Sequence, residues 1–287
     1  MSDETELRDR GLDGARLARS GQSNGSRPVR KDEIELPERR SRRKPLLFVH
    51  GELGGSWVWE RWLHYFAARG WEGHALNLRN HYWSHVADPA TLSFDTYLED
   101  VLAALERIGP STVAVGHGMG GLLLMKAAER ATLDGLVLVS PELPAQLRRP
   151  VEPHELRDVP DVYGREQIGW ATLQEKLERD YRDLSRDDVA RIAHLLGQKP
   201  RESGRVRRQV LAGVSVDRRA VSDVPRLVIG AGLDRRLSEP DSERLATWLG
   251  AQYEPFGAHS HFGLVLGEDS HVQVADAVRA FLEANRL

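Results

Sequence analysis

The stretch TVAVGHGMGGLLLMKAAER, from Thr112 to Arg130, constrains the fold more than any other part of this chain. A run of β-branched and small apolar residues fits a strand. A turn with glycine at 116, 118, 120 and 121 follows, and then a leucine-rich helix. A strand that feeds directly into a helix belongs to a layered α/β arrangement, because only a crossover brings the next strand back parallel to the first. Such a turn does one of two jobs. It holds a phosphate on the backbone N–H groups of the helix start, or it presents a nucleophile at a sharp strand-to-helix bend.

The rest of the chain repeats this rhythm. Apolar runs at 45–51, 74–78, 112–115, 135–139, 226–230 and 251–256 read as strands. Helical patterns lie between them. Trp57 to Arg69 places Trp59, Leu63 and Phe66 on one face, and Gly70 stops it. Ser93 caps a helix through Arg107 that carries Tyr97, Val101 and Leu105 at fourfold spacing. Further helices start at Met119, at Asp241 (to Leu249) and near Val272 (to Ala284). Nearly continuous apolar strands mean a mostly parallel sheet with helices on both faces. The expected fold class is α/β.

Between Pro141 and Val224 the strand rhythm stops. Leu173, Leu177, Tyr181 and Leu184 form one stripe. Ser185 with Asp188 resembles a capping box for a helix holding Val189, Ile192 and Leu196. Residues 141–224 therefore read as a helical cap over the carboxyl ends of the strands. The α/β core is then split into 45–140 and 225–287. Residues 1–44 carry 12 basic and 9 acidic side chains with few aromatics, a composition that does not offset ordering entropy by burial. They read as a disordered charged tail, within which DEIELPE at 32–38 has the pattern of one edge strand.

Composition narrows the function. The net charge of −3 argues against nucleic-acid binding by bulk electrostatics. Cysteine is absent, which excludes disulfides, thiolate metal sites and a cysteine nucleophile. No apolar run reaches the length of a membrane span and no apolar leader is visible, so a cytoplasmic protein without membrane contact is expected. Oligomeric state is not encoded in any recognisable pattern.

The glycine turn fits both of its readings. Gly116, Gly118 and Gly121 match G-x-G-x-x-G, with Glu142 about twenty residues beyond, as in a dinucleotide fingerprint. The turn nevertheless sits on the third strand of the core rather than the first. The alternative is small-x-nucleophile-x-small, with Gly116 and Gly120 as the small flanks and position 118 at the apex. That reading requires an HG loop after an earlier strand, an acid after a later strand and a histidine after the last one. The chain has all three, in FVHGELGGSWVW (48–59), LVIGAGLDRR (227–236) and EPFGAHSHFG (254–263).

In these motifs the sequence from about Pro45 onward resembles the α/β-hydrolase superfamily, in its small esterase-like and lyase-like members. The resemblance implies His261 as base, Asp234 as its partner, and an oxyanion hole made by the backbone N–H groups of Glu52 and Met119. It also implies a serine at the elbow, commonly GHSMGG. Here the segment reads GHGMGG, and Gly118 stands at the nucleophile's position. A second departure is NLRNHYWS at 77–84, where relatives commonly have a DLRGHGxS-like segment. Ser56, Ser140 and Ser260 lie near motifs but not at an elbow apex. Glu142 is a reserve for the acid. His259 and His261 form an H-x-H pair without a third ligand, so no metal and no cofactor is expected.

Three accounts follow. An Asp234–His261 dyad acts as general base in a serine-free enzyme. Alternatively, the chain is a non-catalytic binding protein on a hydrolase scaffold. In the third, it is a serine esterase or thioesterase whose nucleophile was engineered to glycine. In each the partner is a small molecule. The expected pocket is walled by His50, Gly51, Glu52, Trp83, His117, Met119, Trp170 and His261, and its tryptophans favour an apolar or aromatic compound. Trp57, Trp59 and Trp62 read as mostly structural. Arg205, Arg207, Arg208, Arg218 and Arg219 read as a solvated face.

Overall fold

A computed structural model describes residues 33–37, 43–164, 183–197, 201–221 and 223–287. Its centre is a seven-stranded sheet formed by β1 (Glu33–Glu35), β2 (Leu46–Val49), β3 (Gly73–Leu76), β4 (Val113–Gly118), β5 (Gly135–Pro141), β8 (Arg226–Ala231) and β9 (Gln252–Phe256). The order across it is β1-β3-β2-β4-β5-β8-β9. Only β1 runs antiparallel, pairing Glu33 with Ala75 and Glu35 with Gly73. It is the edge strand whose pattern lies in DEIELPE. Two further strands, β6 (Val162–Tyr163) and β7 (Glu202–Ser203), form a small antiparallel ribbon.

The inner strands β2, β3, β4, β5 and β8 are buried on both faces, as their unbroken apolar runs require, whereas the edge strands β1 and β9 are only partly covered. On β2, Leu47 and Val49 enter one core while Leu46 and Phe48 enter the other. Leu138 and Val139 of β5 divide in the same way. The first core is closed by α2 (Phe94–Ile108), α3 (Met119–Ala127) and α6 (Gly204–Ala212), with α7 (Glu239–Leu249). The second is closed by α1 (Glu60–Ala67), α8 (Gly263–Leu266) and α9 (Ser270–Ala284). Trp59, Leu63 and Phe66 are all buried there, as their shared helical face demands. Ser93 caps α2 through a capping box with Thr96. Between β5 and β8, α4 (Pro153–Arg157) and α5 (Arg186–Gly197) are helical, and Asp188 N donates to Ser185 Oγ at 3.1 Å ahead of α5. The stripe residues Leu173, Leu177 and Tyr181 lie outside the described residues.

The topology positions the site. From β2 the chain moves to β3 on one side and then to β4 on the other, so the loops after β2 and β4 diverge. In open parallel sheets the crevice at the carboxyl ends of such strands is where ligands bind. Among the described residues no helix is long and apolar enough to cross a membrane.

Candidate active site

The elbow forms because three glycines let three backbones meet. A Cβ on Gly116 would lie 2.7 Å from the Gly121 backbone, one on Gly120 would lie 2.2 Å from Val49 O, and one on Gly121 would lie 2.5 Å from Pro141 Cβ. Carbon atoms do not approach that closely, so β4 packs on α3 and β2 only with glycine at these positions. The glycines thus face protein rather than a phosphate cradle. Glu142 also leaves the dinucleotide reading, because it pairs with Arg148 and with Arg207 (3.0 Å).

Gly118 ends β4 with φ 55° and ψ −123°. Side-chain-bearing residues rarely adopt this conformation. A Cβ placed there would lie 3.5 Å from His261 Nε2. The first amide of α3, Met119 N–H, belongs to the donors that no helical carbonyl satisfies. Gly51 of the loop after β2 lies against this turn, and a Cβ on it would be 3.6 Å from Met119 N.

Asp234 and His261 meet because their loops are tied together. Leu233 N donates to His259 O at 2.9 Å, which holds the loop after β8 on the loop after β9. His261 Nδ1 lies 2.7 Å from Asp234 Oδ2. The other Asp234 oxygen accepts from Arg236 N at 2.6 Å and Leu237 N at 3.2 Å. Ser140, buried and at φ 41°, donates its hydroxyl to Asp234 Oδ2. Burial alone would raise the Asp234 carboxyl. The His261 charge and these donors outweigh it and hold the group well below the usual carboxylate range. A carboxylate at Nδ1 fixes the tautomer with its proton there, which leaves Nε2 as an acceptor aimed at position 118.

His117 supports this arrangement from below. Its Nε2 donates to His261 O at 3.0 Å, and the two rings pack at a tilt of 44° with centroids 4.3 Å apart. Burial, followed by the neighbouring His261, pushes the His117 pKa well below the usual histidine value. It is therefore neutral. Beside the pair lies a pocket of about 500 Å³, its open mouth included. Its walls are apolar at Leu53, Trp57, Val58, Ile192, Phe262 and Leu266. They are polar at Glu52, His117, His261 and Arg236.

The structure brings Gly51, Glu52, His117, Gly118 and His261 to this pocket, with Asp234 behind His261. Three expected wall side chains are elsewhere. Trp83 is 63 % exposed and lies away from the pocket. His50 is fully buried and turned into the protein, with Nδ1 donating to Gly51 O at 2.7 Å and Nε2 accepting from Leu78 N at 3.3 Å. Met119 packs its side chain in the core. Trp170 lies outside the described residues. Trp57 lines the pocket besides its place in the core.

Arg207 is not on a solvated face. It bridges Glu52 (3.1 Å) and Glu142, and Arg236 holds the other Glu52 oxygen at 3.1 Å. Arg236 and Ile192 carried no motif of their own, although Arg236 stands two residues after the expected acid. Among the described residues no cluster of three His, Cys, Asp or Glu side chains forms a metal site.

The comparisons with known proteins agree with this geometry. The model of the alpha/beta hydrolase fold family matches residues 44–171. No curated protein matches the chain in sequence. Solved structures match over nearly the whole chain. A bromoperoxidase from Bacillus anthracis is 15 % identical with a TM-score of 0.66, over 94 % of this chain and 99 % of that one. A malate-bound esterase from Thermogutta terrifontis is 18 % identical with a TM-score of 0.66, over 89 % and 95 %. A haloalkane dehalogenase from Bradyrhizobium elkani is 16 % identical with a TM-score of 0.64, over 95 % and 99 %. These three act on different substrates, so what they share with this chain is architecture. Strand order, elbow, family model and structural neighbours together show that this chain has the fold of the α/β-hydrolase superfamily.

Proposed function

We propose that this protein is a serine-free enzyme acting on a small, apolar or aromatic molecule, with Asp234 and His261 as its general base. The observation that carries this is the aim of His261. Its Nδ1 is held by Asp234 at 2.7 Å, while Nε2 faces the space a side chain at Gly118 would fill, 3.5 Å from that Cβ position. With glycine there, a water molecule or a substrate proton takes the place of a hydroxyl nucleophile.

In the hydrolytic form, water oxygen attacks the electrophilic carbon and its proton passes to His261 Nε2. The oxyanion is held by Met119 N–H and Glu52 N–H. The intermediate collapses with cleavage of the bond to the leaving group, which takes the proton from His261. In the lyase form, the same nitrogen removes a proton from substrate carbon and returns it to the departing group. The maintained Asp234 bonds favour an active site over a relic, because a buried carboxylate is costly to keep without a role.

A second reading has one observation of its own. Glycine at φ 55° removes the strain that an L-residue would store at this turn, which suits a scaffold that binds without reacting. Turnover separates the two. Unmodified protein and His261→Ala are incubated with small aryl esters, thioesters and β-elimination substrates, and product is followed by mass spectrometry. The proposal expects product from the unmodified protein and a loss of at least about 100-fold in the variant. Equal turnover in both would refute the dyad, and tight binding with no product at all would favour the scaffold.

A further inference from the structure

The loop that carries the Glu52 amide is held by a buried charged cluster whose acid, Glu202, comes from the insertion. Glu202, on β7, is fully buried and accepts four hydrogen bonds. They come from Leu53 N (3.0 Å), His81 Nε2 (2.9 Å), Tyr97 Oη (2.6 Å) and Ser203 N (3.0 Å). His81 is doubly engaged, since its Nδ1 lies 3.1 Å from Arg79 O. Both ring nitrogens face acceptors, the arrangement of an imidazolium. Burial opposes the His81 charge, yet Glu202 outweighs it and raises the pKa. Burial likewise opposes the Glu202 charge, and His81 and the other donors bring it down to about 2.

This cluster controls two consecutive peptides. Leu53 sits at φ 58°, a conformation that a leucine keeps only when its surroundings impose it. The Leu53 N–H is fixed by Glu202. One peptide earlier, Gly51 O is held by His50 Nδ1 at 2.7 Å and Gly54 N at 3.2 Å. The His50 ring packs on His81 with centroids 4.9 Å apart. A trans peptide points its carbonyl and its N–H in opposite directions. Fixing Gly51 O therefore fixes the direction of Glu52 N–H.

We propose that Glu202 is a positioning residue: from the insertion it sets the backbone of the His50–Gly55 loop and thereby aims the Glu52 amide at the reacting centre. This rests on the reading of that amide as an anion donor under Proposed function. Glu202 touches no reacting atom. Its role follows from where its four bonds go, across 149 residues of chain to Leu53 and 121 residues to His81.

Two measurements test it. Peptide-resolved amide hydrogen exchange compares the otherwise unmodified protein with Glu202→Gln and with Tyr97→Phe. The expected result is exchange at least tenfold faster over 50–56 in Glu202→Gln, with 113–118 unchanged, and little change in Tyr97→Phe, which leaves the Leu53 bond in place. Then Gly118→Ser and the double variant with Glu202→Gln hydrolyse p-nitrophenyl butyrate. The expected loss is about 10- to 100-fold in kcat with KM within threefold. Should the glutamine variant not fold, Glu202→Asp keeps the charge and withdraws the acceptor. Unchanged exchange over 50–56, or kcat within twofold of the serine parent, overturns the proposal. An inert Gly118→Ser parent is a separate result, which strikes the amide-hole reading itself.

Discussion

Replacing Gly118 by alanine tests the elbow conformation through stability, independently of turnover. An L-residue held near φ 55° and ψ −123° stores about 1–3 kcal/mol of backbone strain. Alanine returns about 0.4–1 kcal/mol by restricting the unfolded chain. The new methyl meets His261 Nε2 at 3.5 Å, His261 Cε1 at 3.7 Å and Gly51 Cα at 3.8 Å, all ordinary van der Waals distances, so no clash adds to the strain. The expected net loss is roughly 1–2 kcal/mol. Urea unfolding at pH 7.5 reads it as a lower midpoint at unchanged slope. Gly257→Ala is the control, because nothing lies within 4 Å of a Cβ there, and it should stay within about 0.5 kcal/mol. If Gly118→Ala is as stable as the unmodified protein, residue 118 is not held in the elbow conformation and the reasoning fails.

Other predictions follow from named contacts. Asp234→Asn leaves the His261 ring with the wrong tautomer and should lower any turnover by about 10³–10⁴-fold, measured as kcat on whichever substrate the unmodified protein processes. Acid should destabilise the fold well above the carboxylate range. Burial, with the His81 charge next, lowers the His50 pKa to about 3. The unfolded chain therefore binds this proton first, and the stability contributed above pH 6.5 is lost as pH falls, by about 3 kcal/mol at pH 4. A urea midpoint that is flat between pH 7 and pH 4 would contradict it. Gly120→Ala drives a methyl to 2.2 Å from Val49 O and should cost about 3 kcal/mol or more, or leave the protein insoluble.

Much of the fold is legible from pattern alone, because most inner strands of the sheet are apolar runs closed by a turn residue. The strand at 112–115 extends to Gly118, since the bend comes at the apex rather than before it. The elements of the site are legible for a related reason. His50–Gly51, Gly118, Asp234 and His261 stand at strand ends, and a parallel sheet gathers strand ends on one edge. What is not legible is pairing at long range. Glu202 and His81 sit in segments with no periodic signal, and nothing in either predicts a buried ion pair between them. Trp83 and His50 show the same limit in reverse. An aromatic near a motif says nothing about which way it turns, and His50 turns inward because Gly51 O and Leu78 N need its two nitrogens. The positive φ of Leu53 and Ser140 is equally silent in sequence, since both residue types ordinarily avoid it.

The central claim is that base, acid and anion-holding amides remain in register around a glycine. Gly118→Ser and the unmodified protein are each treated with a fluorophosphonate probe and read by intact mass. The account predicts one adduct on the serine variant, abolished by His261→Ala, and none on the unmodified protein. A serine variant that folds normally and takes no label would contradict it.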